Sequence, residues 1–396
     1  MSFASIHLKT SFIDEAASNR FLCAFWAKLR DEFGKLAWQY NPSRNGSRQT
    51  IYFGYADLAL PATIRIGVTY KRRGIIDCMV FEDVFGKADL PITRFESCVR
   101  LAESAIETET TFYAKMVIPY NLNFQSTYEH GAFSILNKKD ENTYLGFRVC
   151  AFDETDAINK VSLYSKPILD VLSSFTNLFL SLSEFTDLKP FHPVSQQIMT
   201  PDDLNWIDGY PVTNGLVVIP ENCLALIDGI IHGNLDSQMQ LLIDACHHFH
   251  AARALEEKAY NFISKQTNNE AELAMVLYVS CIEVLSLINA PSPIKCPTCS
   301  QPQHRISARV IKFMEKHNGL VAAGIVKELY NARSKYLHSG QLLSSRSYTG
   351  AMIPQLGSSL KNGVRSSRPL APLLNLREYT SFCIRSIAYE LISGQQ

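Results

Sequence analysis

Tyr330-Asn-Ala-Arg333-Ser334-Lys335-Tyr-Leu-His338-Ser-Gly340 closes a helical run that begins near Leu320, and the glycine two residues past His338 supplies a left-handed stop. Residues five apart on a helix are separated by about 140°. Arg333 and His338 therefore share a face only where the helix end unwinds, which Gly340 permits. The guanidinium of Arg333 is permanently charged and forked, a match for the oxygens of a phosphodiester. An imidazole at a helix C-terminus sits where the dipole favours its cation by about 0.3–1 kcal/mol, a setting suited to a group that gives and takes protons.

Working outward, the pattern is helical from Leu235 to the end. Residues 236–264 form one long run, and Asn269–Ile288 forms a second that ends before Ala290-Pro291-Ser292-Pro293. Arg305–His317 is a third, closed by Asn318-Gly319; Leu320–His338 is a fourth; Leu373–Ile392 is a fifth. Residues 341–370, rich in Ser, Gly and Arg, read as a long loop. Helices joined by short connections imply a bundle. Between Glu328 and Glu378 no acidic residue occurs, while Arg333, Lys335, Arg346, Lys361, Arg365, Arg368 and Arg377 all fall there. In a chain of zero net charge, such a one-sign run gives a local field suited to a polyanion. A loop that merely lacks Asp and Glu is the alternative.

The first half has a different texture. Residues 19–38 carry apolar positions at helical spacing, and short β-type runs follow at Thr50–Tyr55, Ala62–Tyr70, Ile75–Phe81, Thr111–Ile118, Gly131–Leu136 and Tyr144–Phe152. Asp153-Glu-Thr-Asp156 caps a helix expected to reach about Lys166, where Pro167 restricts its continuation. Lys71-Arg72-Arg73 reads as a hairpin turn in solvent. Five prolines between 188 and 221 suggest an extended connector. The expected organisation is an α+β domain over 1–188, a connector over 189–234 and an all-α bundle over 235–396. The first domain shows no phosphate-binding glycine loop, carboxylate pair or metal-ligand spacing, so a sensing or regulatory role is expected of it.

Hydrophobic residues make up 46% and charged residues 19% of the chain, an ordinary globular balance. No apolar stretch is long enough for a membrane span and the start does not read as a signal peptide, so a cytoplasmic protein is expected. Cys23, Cys78, Cys150, Cys281 and Cys383 stand singly in apolar runs, as reduced core thiols do.

Arg333, Ser334 and His338 resemble the signature of HEPN domains, helical bundles that include many prokaryotic ribonucleases: an Arg, usually a polar residue after it, and a His four to six residues further on. Ile282-Glu283-Val284-Leu285 and Arg305-Ile-Ser-Ala-Arg309 are similar to stretches of the second and third helices in the HEPN domains of ApeA-type anti-phage proteins. The resemblance covers the last 160 or so residues. It implies a metal-independent endoribonuclease of the phage-defence or toxin type, with catalytic Arg333 and His338 and with Glu283 positioning Arg333. It also implies a homodimer that brings two motifs to one cleft. Ser334, Lys335, Arg346, Lys361, Arg365 and Arg368 are the expected RNA contacts. Two further readings stand beside it. The bundle could be a catalytically inactive module that binds RNA or a protein partner, or only a dimerisation platform while the N-terminal half carries the activity; in either case Arg333 would pair structurally with Glu283 or Glu328 and His338 would meet terminal carbonyls.

Catalysis of this kind needs no cofactor. Cys296-Pro-Thr-Cys299 resembles half of a zinc knuckle, so a structural zinc completed by His304, or by Cys246, His247 or His250, is one expectation, and a tight loop with two free thiols is the other. His247, His248 and His250 crowd one helix, where Cys246 and His250 share a face. Metal ligation and a packed polar seam are both open there.

Overall fold

The computed structural model describes residues 5–34, 37–45, 50–58, 60, 62–72, 74–85, 90–118, 133–137, 143–181, 185–187, 212–213, 216–261, 269–292, 294–295, 302–303, 306–340, 355–356, 364–365 and 371–393. They form two compact units, an antiparallel α+β unit and a larger, mainly helical one. The first holds residues 1–114, 148–161 and 188–190; the second holds 115–147, 162–187 and 191–396.

In the first unit β1 (Ser5–Lys9), β2 (Ala37–Asn45), β3 (Thr50–Asp57), β4 (Ile64–Arg72) and β5 (Ile75–Asp83) make an antiparallel sheet of order β1-β5-β4-β3-β2. Along β3 buried and half-buried residues alternate, the period of two that lines one face with a core. Against that sheet lie α1 (Glu15–Phe33) and α2 (Ile92–Ala105). Phe21, Phe25 and Leu29 recur every fourth residue along α1 and are fully buried, which fixes the face it presents. Phe81 of β5 stacks on Phe95 of α2 with ring centroids 4.3 Å apart. Asp14 caps α1 by accepting from the Ala17 N–H at 2.8 Å, and Gly34, at φ 80°, ends it. Residues 35–38 of the run expected to be helical therefore fall after that stop. Lys71 and Arg72 lie in β4 where it turns into β5 through Gly74.

Next come β6 (Thr110–Ile118), β7 (Phe133–Asn137), β8 (Thr143–Ala151), α3 (Glu154–Thr176) and β9 (Phe185–Asp187), the four strands forming a sheet of order β7-β8-β6-β9. Asp153 begins α3 as the sequence predicts, accepting from the Asp156 N–H at 2.8 Å. Its carboxylate also grips Arg30 through two hydrogen bonds of 2.6 and 2.9 Å. Pro167 does not end the helix. It removes the N–H that would bond to Leu163, but Leu163 is exposed and water can replace the lost bond. Ile168, Val171, Leu172 and Phe175 are buried beyond it, and that burial carries the helix on to Thr176.

The remaining helices are α4 (Glu221–His232), α5 (Ser237–Asn261), α6 (Asn269–Leu285), α7 (Ile306–Ser339) and α8 (Ala371–Ser393). The first of these lies inside the stretch read as a connector. Pro220, one of the prolines taken as breaks, caps its start with φ −62°, and Gly233, left-handed at φ 68°, caps its end. Cys223, Leu224, Leu226, Ile227 and Ile230 are its buried face. In the bundle α5 packs along α6, α8 lies against both, and α7 lies against α6 and α8. Gly319, at φ 82° and ψ 174°, breaks α7 into the two helices the sequence predicts there.

The bundle core contains a charged clamp. Glu256 is fully buried and accepts from the Tyr278 hydroxyl at 2.6 Å, from Arg253 at 2.9 Å and from Arg377 at 3.3 Å. Two cations and a phenol around one carboxylate are what keep a buried charge tolerable. Cys281 and Cys383 are buried free thiols, whereas Cys150, expected in the core, is exposed. Among the described residues no helix is long and apolar enough to cross a membrane.

Candidate active site

Glu283, near the end of α6, and Arg333, in the second half of α7, meet across the helix pair. Arg333 Nη1 donates to Glu283 Oε2 at 2.7 Å, with 17% of the arginine and 23% of the glutamate side chain exposed. The guanidinium carbon stands 5.7 Å from the Tyr330 ring centroid, one turn earlier on α7, within cation–π range. Burial, and then the charge of Glu283, raises the Tyr330 hydroxyl above its usual range, against the opposing pull of Arg333. The Nε of Arg333 is buried without an acceptor among the described residues.

His338 is in the last turn of α7 and exposed. Gly340 is left-handed at φ 64°, and its N–H donates to the Tyr336 carbonyl at 3.0 Å. That closes the helix at the glycine named for it. Ser334 is half-buried and Lys335 exposed in the turn that follows Arg333. Arg365 falls in a two-residue strand, Val364–Arg365, paired with Gln355–Leu356. Arg346, Lys361 and Arg368 lie outside the described residues, as do Cys296, Cys299 and His304. Strands Ile294–Lys295 and Pro302–Gln303 pair on either side of the Cys296–Cys299 segment. Among the described residues no group of three or more His, Cys, Asp or Glu is placed to hold a metal ion.

A second cluster lies in the same helical unit. Asp170, in the part of α3 beyond Pro167, has a side chain only 6% exposed and takes one imidazole on each oxygen. His250 Nδ1 is 2.7 Å from Oδ1, and His247 Nδ1 is 3.0 Å from Oδ2. His250 also reaches the Leu180 carbonyl through Nε2 at 2.6 Å. Both ring nitrogens of His250 are thereby taken, and the Cys246 thiol beside it is buried and pushed up to about 12. His250 is thus packed against Asp170 and the Leu180 carbonyl, and Cys246 is a buried thiol next to it.

His247 differs, because its ring is 47% exposed and, among the described residues, only Nδ1 is hydrogen-bonded. It opens on a cleft of about 460 Å³ whose lining includes Lys166, Asp170, Asp244, His247, His248 and Val284. Val284 is next to Glu283 in sequence. Half-buried His248 lines the same cleft; burial first, then the neighbouring His247, lowers it from 6.5, with Arg333 adding to that and Asp244 and Glu283 opposing. Asp170 is the functional candidate that sequence reasoning missed. Its signal was a lone carboxylate in the apolar run Pro167-Ile-Leu-Asp170-Val-Leu, which has to find a hydrogen-bonding partner.

The chain matches no protein-family model, no curated protein and no solved structure.

Proposed function

We propose that the helical unit is a HEPN-type, metal-independent endoribonuclease. The observation that carries the reading is the Arg333–Glu283 pair: a guanidinium fixed at 2.7 Å by a carboxylate on the adjacent helix, on the same α7 whose last turn presents an exposed His338. A fixed cation costs no reorganisation when charge develops on a phosphorane-like transition state. In this reading an imidazole takes the proton of the ribose 2′-OH and the oxygen attacks the adjacent phosphorus. A second imidazole protonates the departing 5′-oxygen. The products are a 2′,3′-cyclic phosphate and a 5′-OH, and DNA is spared because it lacks the nucleophile.

The assembly proposed is a homodimer through the helical unit, which brings two His338 rings to one cleft, with Ser334, Lys335, Arg346, Lys361, Arg365 and Arg368 along the RNA path. A structural zinc on Cys296, Cys299 and His304 belongs to the same proposal, as does a cytoplasmic setting in phage defence or as a toxin. The antiparallel α+β unit is then the sensing or regulatory part. The same ion pair favours a second reading, a catalytically inactive HEPN module that binds RNA or a protein partner, since a half-buried Arg–Glu pair also serves as a structural tie.

Full-length protein incubated with single-stranded RNA in EDTA separates the two. Cleavage that falls by about 100-fold or more in Arg333→Ala and in His338→Ala is the expected result. RNA retained but uncut supports the inactive module. RNA neither bound nor cut removes the nuclease and the RNA-binding module and points to a protein-binding or dimerisation role for the helical unit.

A further inference from the structure

The two halves of α7, separated by the break at Gly319, each bring an arginine to the C-terminal end of α6. Arg333 of the second half holds Glu283 at 2.7 Å. Arg309 of the first half donates through Nε to Ser286 Oγ at 3.0 Å. Ser286 directly follows α6 and continues its last turn, because its N–H reaches the Ile282 carbonyl at 2.9 Å. It is buried, and its hydroxyl donates to the Glu283 carbonyl at 2.6 Å, so the oxygen that receives Arg309 is fixed. Glu283 and Ser286 are three residues apart, hence neighbours on one helix face at about 5–6 Å between Cβ atoms. The two guanidiniums are thus docked side by side on anchors about one helical turn apart.

One carboxylate serves both cations. Among the described residues Arg309 makes no ion pair and its one side-chain hydrogen bond is that to Ser286, which leaves Nη1 and Nη2 uncommitted. Arg333 spends Nη1 on Glu283 and has no acceptor at Nε among the described residues. The Tyr330 ring flanks Arg333 at 5.7 Å, and its hydroxyl lies in the fields of Glu283, Arg333 and Arg309 together. Both arginines are half-buried, and a partly desolvated cation without its own counter-ion favours an anion from outside. A guanidinium held by Nε alone presents its two terminal amino groups as a fork, the shape that takes two oxygens of one phosphate.

We propose that Arg309 is a second phosphate-binding residue of the site, which takes the RNA phosphate next to the one held by Arg333; the proposal rests on the ribonuclease reading for the identity of its ligand. The side-by-side docking is the reason for two phosphates rather than one, since a helical turn between anchors is of the same order as the step between neighbouring phosphates of a single strand. Glu283 and Ser286 are positioning residues, one for each cation. Arg309 touches no reacting atom. It fixes where the strand lies along α6 and so which linkage reaches Arg333. A phosphate contact carries no information about the base, so Arg309 sets the register of the strand and not its sequence.

The test measures binding of the full-length chain to a 2′-O-methyl RNA oligonucleotide, which has no 2′-OH to attack, by fluorescence anisotropy at several salt concentrations. Wild type is compared with Arg309→Gln, which loses the charge and keeps an N–H for Ser286, and with Arg309→Lys, which keeps the charge. Each phosphate contact contributes about 0.7 to the slope of log affinity against log salt for a single strand. Arg309→Gln is expected to bind about 10-fold or more weakly at low salt with the slope lowered by about 0.7, while Arg309→Lys keeps the wild-type slope. A packing role alone would lower the melting temperature and leave the slope unchanged. A wild-type slope in Arg309→Gln, an equal fall of slope in Arg309→Lys, or no binding by wild type overturns the proposal. Cleavage of ordinary RNA in EDTA is followed in parallel. If wild type cuts, Arg333→Ala does not, and Arg309→Gln keeps the wild-type slope, Arg309 is not a contact and the ribonuclease reading stands. If Arg309→Gln shows the expected loss while wild type leaves ordinary RNA intact, the ribonuclease reading falls and the phosphate contact stands on an inactive RNA-binding module.

Discussion

At Arg333 one nitrogen is committed to Glu283 at 2.7 Å and neither side chain is more than a quarter exposed. Removing the acid leaves a half-buried cation with one partner fewer, a loss of about 1–3 kcal/mol for a charged hydrogen bond. Glu283→Ala is therefore expected to lower unfolding free energy by that amount in urea titration, and an unchanged midpoint would show the pair to be slack. A second residue-scale prediction concerns acid. His248 and His317 are both lowered from 6.5, each chiefly by burial, with His247 acting on the first and Lys316 on the second. Below 6.5 the unfolded chain binds protons that the folded chain refuses. Their contribution is thus complete above 6.5 and is lost as pH falls through the lowered values. Stability measured between pH 7.5 and 5 should decline on the acid side, and less steeply in His248→Gln. Glu283 was legible in the sequence because a helical motif flanks it. Asp170 was not, because its imidazole partners lie 77 and 80 residues away and no local pattern joins an aspartate to them.

Among the helices, α7 shows how a glycine can be read. Gly319, at φ 82°, has open space where a Cβ would go, so replacing it costs only its left-handed backbone. Gly319→Ala should lose about 1–3 kcal/mol. Gly324 lies five residues on, within the helix, and also has open space around it. Gly324→Ala should gain about 0.5–1 kcal/mol. Thermal melts of the two variants should move in opposite directions; a shift in the same direction would contradict the kink. This break, the stop at Gly340 and the extents of α5, α6 and α8 were readable from apolar spacing and glycines. The course of α3 past Pro167 and the existence of α4 were not. In both cases prolines signalled interruption, and buried faces formed with distant parts of the chain decided the outcome.

For the molecule as a whole, the coarse class, antiparallel strands with helices first and mainly helices later, was legible from the change in periodicity along the chain. The pairing of β1 with β5, and the passage of β6–β9 into the second unit's residues, depend on contacts no window of sequence contains. Within the helical unit, the clamp of Arg253, Tyr278 and Arg377 on Glu256 ties α5, α6 and α8 together and supports the bundle that presents Arg333 and His338. Cleavage through the ribose hydroxyl, as proposed above, is open to a direct measurement on one substrate pair: an RNA oligonucleotide and its copy with every 2′-OH removed, each incubated with the full-length chain in EDTA. The expected result is RNA cut to fragments ending in 2′,3′-cyclic phosphate while the deoxy copy stays whole. Equal cutting of both, or fragments ending in a 3′-OH, would contradict it.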